Sequence, residues 1–272
     1  MEKGALVGKG MTAEVYEWGQ DKVVKLYFDR ISDAWIQSEA EIGHAIYKEG
    51  LPAPEVFDTV ISNGRRGIVF EKIDGRSMMR ILETEPWNMA SFLLQLSQLQ
   101  YSIHQHKVDI LPSQKEKFGK AIHRSSEILG DRESEILDYI GSLPDGTCVC
   151  HGDLHVNNII MTGKGPVVID WANAYKGNPL GDVARSNTMI STPVLSTGIP
   201  SVMSLVTQYT KTLTSWTYLN AYMSISKAKY EDIDAWMLPA AAVRLRDKMP
   251  GQEKWLLGII DDRLLKLKKG KQ

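Results

Sequence analysis

The sequence predicts an α+β fold with two lobes, an N-terminal antiparallel sheet carrying one helix and a C-terminal part that is mostly helical. Three observations carry this prediction. Apolar residues alternate through the first seventy residues, they recur at helical spacing from about residue 86 onward, and a short β-rich island near residues 147–169 interrupts the helices.

Residues 14–18 and 22–28 alternate and are separated by Gly19-Gln20-Asp21, a hairpin signal. A second hairpin pairs residues 55–61 with 67–72 across Ser62-Asn63-Gly64-Arg65-Arg66, whose Asn-Gly step tolerates positive φ. Between the hairpins, residues 33–49 place Ala34, Ile36, Ala40, Ile42, Ala45 and Ile46 on one helical stripe, which Gly50 and Pro52 end. These elements make a small lobe over residues 1–74, and residues 75–272 form the second. There the spacing predicts helices over 86–106, 114–129, 133–143, 180–190, about 201–223, 233–248 and 253–268, and short buried strands at 147–150, 158–161 and 167–169. The lysine-rich end, residues 264–272, reads as a solvated tail.

Composition excludes several classes of function. The 32 basic and 33 acidic side chains leave a net charge of −1, so no global field favours nucleic acid or an anionic membrane. With 43% hydrophobic residues the chain is globular, and no stretch approaches 18 uninterrupted apolar residues. A soluble, cytoplasmic protein without membrane or nucleic-acid partners is expected. Cys148 and Cys150 are two apart in a predicted strand, where a disulfide between them would be strained, so they read as small buried hydrophobes in a reducing compartment.

The densest chemical signal is His151-Gly152-Asp153-Leu154-His155-Val156-Asn157-Asn158, followed by Ile169-Asp170-Trp171. An Asp, an Asn five positions later and a second Asp at a strand end supply hard oxygen ligands and a free carboxylate, a set suited to Mg²⁺ with phosphates. The spacing agrees with the phosphoryl-transfer template, in which an Asp accepts the hydroxyl proton while the Asn and a later Asp hold metal. Counted this way the ligand is Asn158, not Asn157.

Further motifs follow in order. They are Gly8-Lys9-Gly10-Met11-Thr12-Ala13-Glu14-Val15-Tyr16, Val23-Val24-Lys25-Leu26, Glu39, Gly50-Leu51-Pro52-Ala53-Pro54, Val69-Phe70-Glu71-Lys72-Ile73-Asp74-Gly75, Ile103-His104 and Asp182-Val183-Ala184-Arg185. Together they resemble the aminoglycoside phosphotransferase and choline kinase family, small-molecule kinases of the protein-kinase-like fold. The resemblance covers nearly the whole chain. It implies that Gly8 and Gly10 cover the phosphates of ATP, that Lys25 clamps them with Glu39 as its partner, and that adenine bonds to backbone near Glu71 and Ile73. It further implies Asp153 as the catalytic base, Asn158 and Asp170 as Mg²⁺ ligands, and His151 as support for the loop. Lys25 is expected to pair with Glu39 and to face Asp170 across a solvent-filled gap.

The implied reaction is transfer of the γ-phosphoryl group of ATP to a hydroxyl of a small molecule. Two alternatives stand beside it, a protein or peptide kinase and a non-catalytic nucleotide-binding protein of the same fold. Only eleven residues separate Asp170 from Asp182, and neither Phe-Gly after Asp170 nor an Ala-Pro-Glu motif is present, which disfavours a protein substrate. Glu41 points away from Glu39 and reads as solvated, His155 reads as support within the loop, and Trp216, Tyr218 and Tyr222 fall at helical spacing and read as core. The late helices offer Glu231, Asp232, Asp234, Asp261 and Asp262 but also Arg244, Arg246, Lys248 and Arg263, so the charge of the acceptor stays open.

Overall fold

A computed structural model describes residues 3–192 and 201–269, the stretch 201–209 by its backbone alone. The chain runs β1 (Leu6–Lys9), β2 (Ala13–Glu17), β3 (Lys22–Tyr27), α1 (Asp33–Lys48), β4 (Val56–Ser62), β5 (Arg65–Glu71), β6 (Arg76–Ser77), α2 (Met78–Leu82), α3 (Met89–Ile103), α4 (Gln114–His123), α5 (Ser126–Leu129) and α6 (Arg132–Ser142). It continues through β7 (Cys148–Cys150), β8 (Ile159–Thr162), β9 (Gly165–Val168), β10 (Tyr175–Gly177), α7 (Pro179–Ser191), α8 (Ser201–Ser226), α9 (Tyr230–Asp234), α10 (Met237–Leu245) and α11 (Glu253–Lys269). By contacts it divides into one unit of Met1–Glu85 with Val156–Ala174 and another of Pro86–His155 with Tyr175–Gln272.

In the first unit the two predicted hairpins join into an antiparallel sheet of order β1-β2-β3-β5-β4. Period-2 alternation sends Val24 and Leu26 to one face, where they pack with Trp18 and Val69, and Tyr27 to the other, where it packs with Ile36 and Ala40 of α1. Ser32 caps α1, its hydroxyl accepting from Trp35 N at 3.3 Å, a contribution of about 1 kcal/mol. The smaller sheet β6-β8-β9 completes this unit. Gly75 is needed where the chain enters it, because a Cβ there would collide with the carbonyl of Met161.

In the second unit α3 packs on α8, and α7 lies at the centre with Gly181 to Thr188 buried throughout. Strand β7 pairs with β10, so the expected β island is two sheets: β7 lies in one unit and β8 and β9 in the other. Two predicted helices are broken. The first breaks at Arg124-Ser125. The second breaks between α9 and α10, where Pro239 lacks an N–H and tolerates only a first helical turn. Residues 270–272 of the lysine-rich tail lie outside the described residues. Among the described residues no helix is long and apolar enough to cross a membrane.

Candidate active site

Strand alternation puts Lys25 on the face of β3 that α1 covers, and helical spacing puts Glu39 in the buried stripe with Ile36, Ala40 and Gly43. Lys25 Nζ donates to Glu39 Oε1 at 2.6 Å and to Asp170 Oδ1 at 3.0 Å. Burial opposes the ammonium, but the Asp170 and Glu39 carboxylates outweigh it and hold the lysine above its ordinary pKa. Burial also pushes the Glu39 carboxyl up, against the pull of Lys25. The second oxygen of Glu39 and the Tyr27 hydroxyl are both buried without a hydrogen-bond partner of good geometry. Burial first, and then the nearby Glu39 charge, drive the Tyr27 phenol well above its usual pKa. Glu41 is exposed and accepts from Gln37, as its place on the helix requires. The expected gap between Lys25 and Asp170 is absent, because Asp170 belongs to the same unit as the lysine and touches it.

The β8–β9 hairpin brings the two candidate metal ligands to one place. Ile159 pairs with Val168, and at the next step Ile169 N donates to Asn158 O at 2.9 Å, so Asn158 lies beside the residue that precedes Asp170. Asp170 is left-handed, with φ 64° and ψ 60°, a conformation costing on the order of 1 kcal/mol and typical of residues held for function. Its side chain stays 44% exposed although Lys25 holds it. Asn158 is buried whereas Asn157 is exposed.

Sheet register supplies a relation that sequence reasoning missed. Gly8 pairs with Val15 and Val15 with Lys25, so these three form one cross-strand row with a common face. A Cβ at Gly8 would meet nothing within 4 Å, and Gly8 has no positive φ, so its missing side chain leaves open space on the lysine's side of the sheet. Gly10 sits in the turn beyond, its N–H donating to Ala13 O at 2.9 Å. Glu71 ends β5 and accepts from Glu55 N at 3.2 Å, and Ile73 follows, half-buried, in the connector to β6.

The second unit holds Asp153, in a loop built on one buried carboxylate. Asp182 accepts from Gly152 N at 2.8 Å, His151 N at 3.2 Å, Gln100 Nε2 at 2.9 Å and the Tyr175 hydroxyl at 3.3 Å, and it contacts His104 Nε2 at 3.2 Å. Burial raises the Asp182 carboxyl, but bonding to His104 and Gln100 outweighs that and holds it at about 2. Arg185 Nε donates to Gly152 O at 2.7 Å, and His151 Nδ1 accepts from Asp153 N at 3.2 Å. The Asp153 carboxylate lies 3.9 Å from Arg185 and 3.8 Å from His155. Gln100 was a missed contributor, and its signal was a polar residue inside the apolar stripe of Leu93, Leu96 and Ile103. Cys150 sits near His104 and Asp182, but both of those are already engaged in hydrogen bonds.

Replacing Asp182 by Asn should destabilise the protein by about 3 kcal/mol, because charge-assisted bonds from three chain segments are weakened at once. The folded carboxyl titrates below its ordinary 3.8, so its contribution is complete above about pH 4 and is lost as pH falls toward 2. Acid unfolding followed by circular dichroism should show that loss in the wild type and not in Asp182→Asn.

Tyr218 and Tyr222 are buried as expected, bonding Gln100 and His104, but Trp216 is 44% exposed and stacks on Tyr230 with centroids 5.2 Å apart. The expectation of core fails there because two positions along a helix is a turn of about 200°, which takes Trp216 off the face that Tyr218 and Tyr222 share.

The profile of the phosphotransferase enzyme family matches residues 4–196. No curated protein sequence matches the chain significantly. Among solved structures, a thermostable mutant of aminoglycoside phosphotransferase APH(4)-Ia, in ternary complex with AMP-PNP and hygromycin B, is 17% identical with a TM-score of 0.63, covering 95% of this chain and 91% of its own. Amicoumacin kinase hAmiN, in complex with AMP-PNP, Ca²⁺ and Ami, is 14% identical with a TM-score of 0.62, over 95% and 88%. Choline kinase from Cryptosporidium parvum Iowa II is 12% identical with a TM-score of 0.60, over 98% and 89%. The kinase-like α+β fold read from the sequence is the fold these proteins share with this chain.

Proposed function

The chain belongs to the phosphotransferase enzyme family, and from that membership we propose that it is an ATP-dependent kinase acting on a hydroxyl of a small molecule. The observation that carries this reading is the buried Lys25, bonded at once to Glu39 of α1 and to the strained Asp170 at the end of a hairpin that also positions Asn158. That AMP-PNP is bound in the aminoglycoside phosphotransferase and amicoumacin kinase structures supports ATP as the donor.

In this reading Lys25 bonds the α- and β-phosphates while Glu39 fixes its position, and the open row at Gly8, with Gly10, lets backbone approach the phosphates. Backbone of Glu71 to Ile73 takes the adenine. Asp170 and Asn158 offer a partly exposed carboxylate and an amide oxygen, a hard donor set that fits Mg²⁺, which would neutralise charge on the phosphate oxygens. Asp153 accepts the proton of the acceptor hydroxyl as that oxygen bonds the γ-phosphorus, the bridging P–O bond breaks, and the electron pair leaves on ADP. Asp182 and Arg185 hold the loop that presents Asp153.

A small acceptor is favoured by the short path from Asp170 to α7. Residues 171–178 carry one 3₁₀ turn, β10 and the cap Asn178, which leaves no length for a peptide-docking segment. Acceptor-dependent release of ADP, measured over alcohols, sugars, amino alcohols, nucleosides, macrolides and aminoglycosides, tests the proposal. ADP release unchanged by every acceptor would count against it.

The Gly8 row gives a further expectation. Gly8→Val should leave the melting temperature near wild type, since the added Cβ meets no neighbour, yet raise KM for ATP by roughly tenfold by filling space the phosphates need. An unchanged KM would remove Gly8 from the nucleotide site.

A further inference from the structure

The turn between β1 and β2, taken above as the cover of the phosphates, is tied down on the face of the sheet opposite Lys25. One step beyond the Gly8–Val15–Lys25 row, Lys9 pairs with Glu14 and Glu14 with Leu26, and period-2 alternation turns this second row to the other face. Arg65 stands on that face too, two residues before Gly67, the strand partner of Leu26. It reaches it because Asn63 and Gly64, left-handed at φ 50° and 76°, make a two-residue turn that starts β5 at Arg65, two residues earlier than the sequence indicated.

The ladder between β3 and β5 ends at the Leu26–Gly67 pair. Beyond it the Arg65 side chain takes over, Nη2 donating to Leu26 O at 2.5 Å and Nε to Tyr27 O at 2.9 Å. Its third nitrogen, Nη1, donates to Glu14 Oε2 at 2.7 Å, which also accepts from the Tyr16 hydroxyl at 3.0 Å. The other oxygen of Glu14 pairs with Lys9 Nζ at 3.1 Å. Lys9 sits between the two glycines, yet its ammonium is engaged behind the turn. The tip is held from the same end of β3: Phe28 N donates to Thr12 O at 3.0 Å, and Arg30 donates to Met11 O. The cations of Lys9, Arg30 and Arg65 lie 5.9, 4.9 and 5.1 Å from the centre of the Phe28 ring. On the Lys25 side, by contrast, a Cβ at Gly8 would meet nothing within 4 Å.

We infer that Glu14, Arg65 and Arg30 are positioning residues that fix the height of this turn over the phosphates from the face the nucleotide does not touch. This rests on the phosphotransferase reading and deepens it. A turn already fixed can offer its N–H groups to the phosphates with little further ordering, whereas a turn cut loose from β3 must be ordered by the nucleotide itself, at a cost in affinity.

Isothermal titration with Mg-AMP-PNP tests it on two independent anchors. Glu14→Gln keeps the shape of the side chain, and Arg30 is exposed, so Arg30→Gln leaves the core intact. Each should raise Kd for Mg-AMP-PNP and KM for ATP about 5- to 20-fold while KM for the acceptor stays within about twofold of wild type. Arg65→Lys, which keeps the charge beside Glu14, should fall between Arg65→Gln and wild type. Trypsin should cut after Lys9 faster in both Gln variants, and saturating Mg-AMP-PNP should slow that cut. Should Glu14→Gln fail to fold, Arg30→Gln decides. Wild-type Kd in the folded variants, or equal losses for ATP and acceptor, overturns the inference alone. If the wild-type protein binds no Mg-AMP-PNP, the phosphotransferase reading fails and takes this inference with it.

Discussion

Asp153→Asn should lower turnover by about 10²-fold or more while leaving the melting temperature and the affinity for an ATP analogue near wild type. The substitution keeps the shape of the side chain and removes only its capacity to accept a proton. The loop is held through its backbone: Asp182 binds the N–H groups of His151 and Gly152, Arg185 binds Gly152 O, and His151 receives the backbone N–H of Asp153. Asp182→Asn is the contrasting control, since it should lose stability and activity together. Near wild-type kcat in Asp153→Asn would remove this residue from the chemistry.

Asp170→Asn should erase the gain in nucleotide affinity that Mg²⁺ gives the wild type and lower activity by about 10²-fold or more. Asn is the informative replacement because it tolerates the left-handed backbone at φ 64°, whereas Ala would add strain to the loss of the carboxylate. Lys25 keeps its bond to Glu39 in this variant, so the fold should persist. Isothermal titration with and without Mg²⁺ reads the effect directly. Asn157→Ala should be nearly silent beside Asn158→Ala, as Asn157 is exposed and Asn158 is buried. The reverse order would show that the loop register is misassigned.

Local periodicity made most of the first unit legible. The alternation around Lys25 and the helical stripe containing Glu39 each fix a face, and their meeting follows once α1 packs on the sheet. The Gly8–Val15–Lys25 row was not legible, because register depends on pairing across strands and on the bulge between Leu6 and Gly8. The contact of Asp170 with Lys25 was likewise hidden, since it joins residues 145 positions apart. In the second unit the motif around Asp182 and Arg185 could be read, but its partners Gln100 and Tyr175 come from separate elements, one of them a strand of three residues, too short to carry a period. Trp216 faces outward because it stands two positions before Tyr218, about 200° round the helix, whereas Tyr218 and Tyr222 are four apart on one face.

Transfer of a phosphoryl group from ATP to a hydroxyl of a small molecule under the control of Asp153 is read out by ³¹P NMR of a reaction containing Mg-ATP and the best acceptor from the panel of alcohols, sugars, amino alcohols, nucleosides, macrolides and aminoglycosides. The γ-phosphate signal should be replaced by a phosphate monoester signal coupled to the acceptor's carbon-bound protons, in step with ADP, and Asp153→Asn should slow this about 10²-fold or more. Appearance of inorganic phosphate alone, or of phosphate attached to protein, would contradict it.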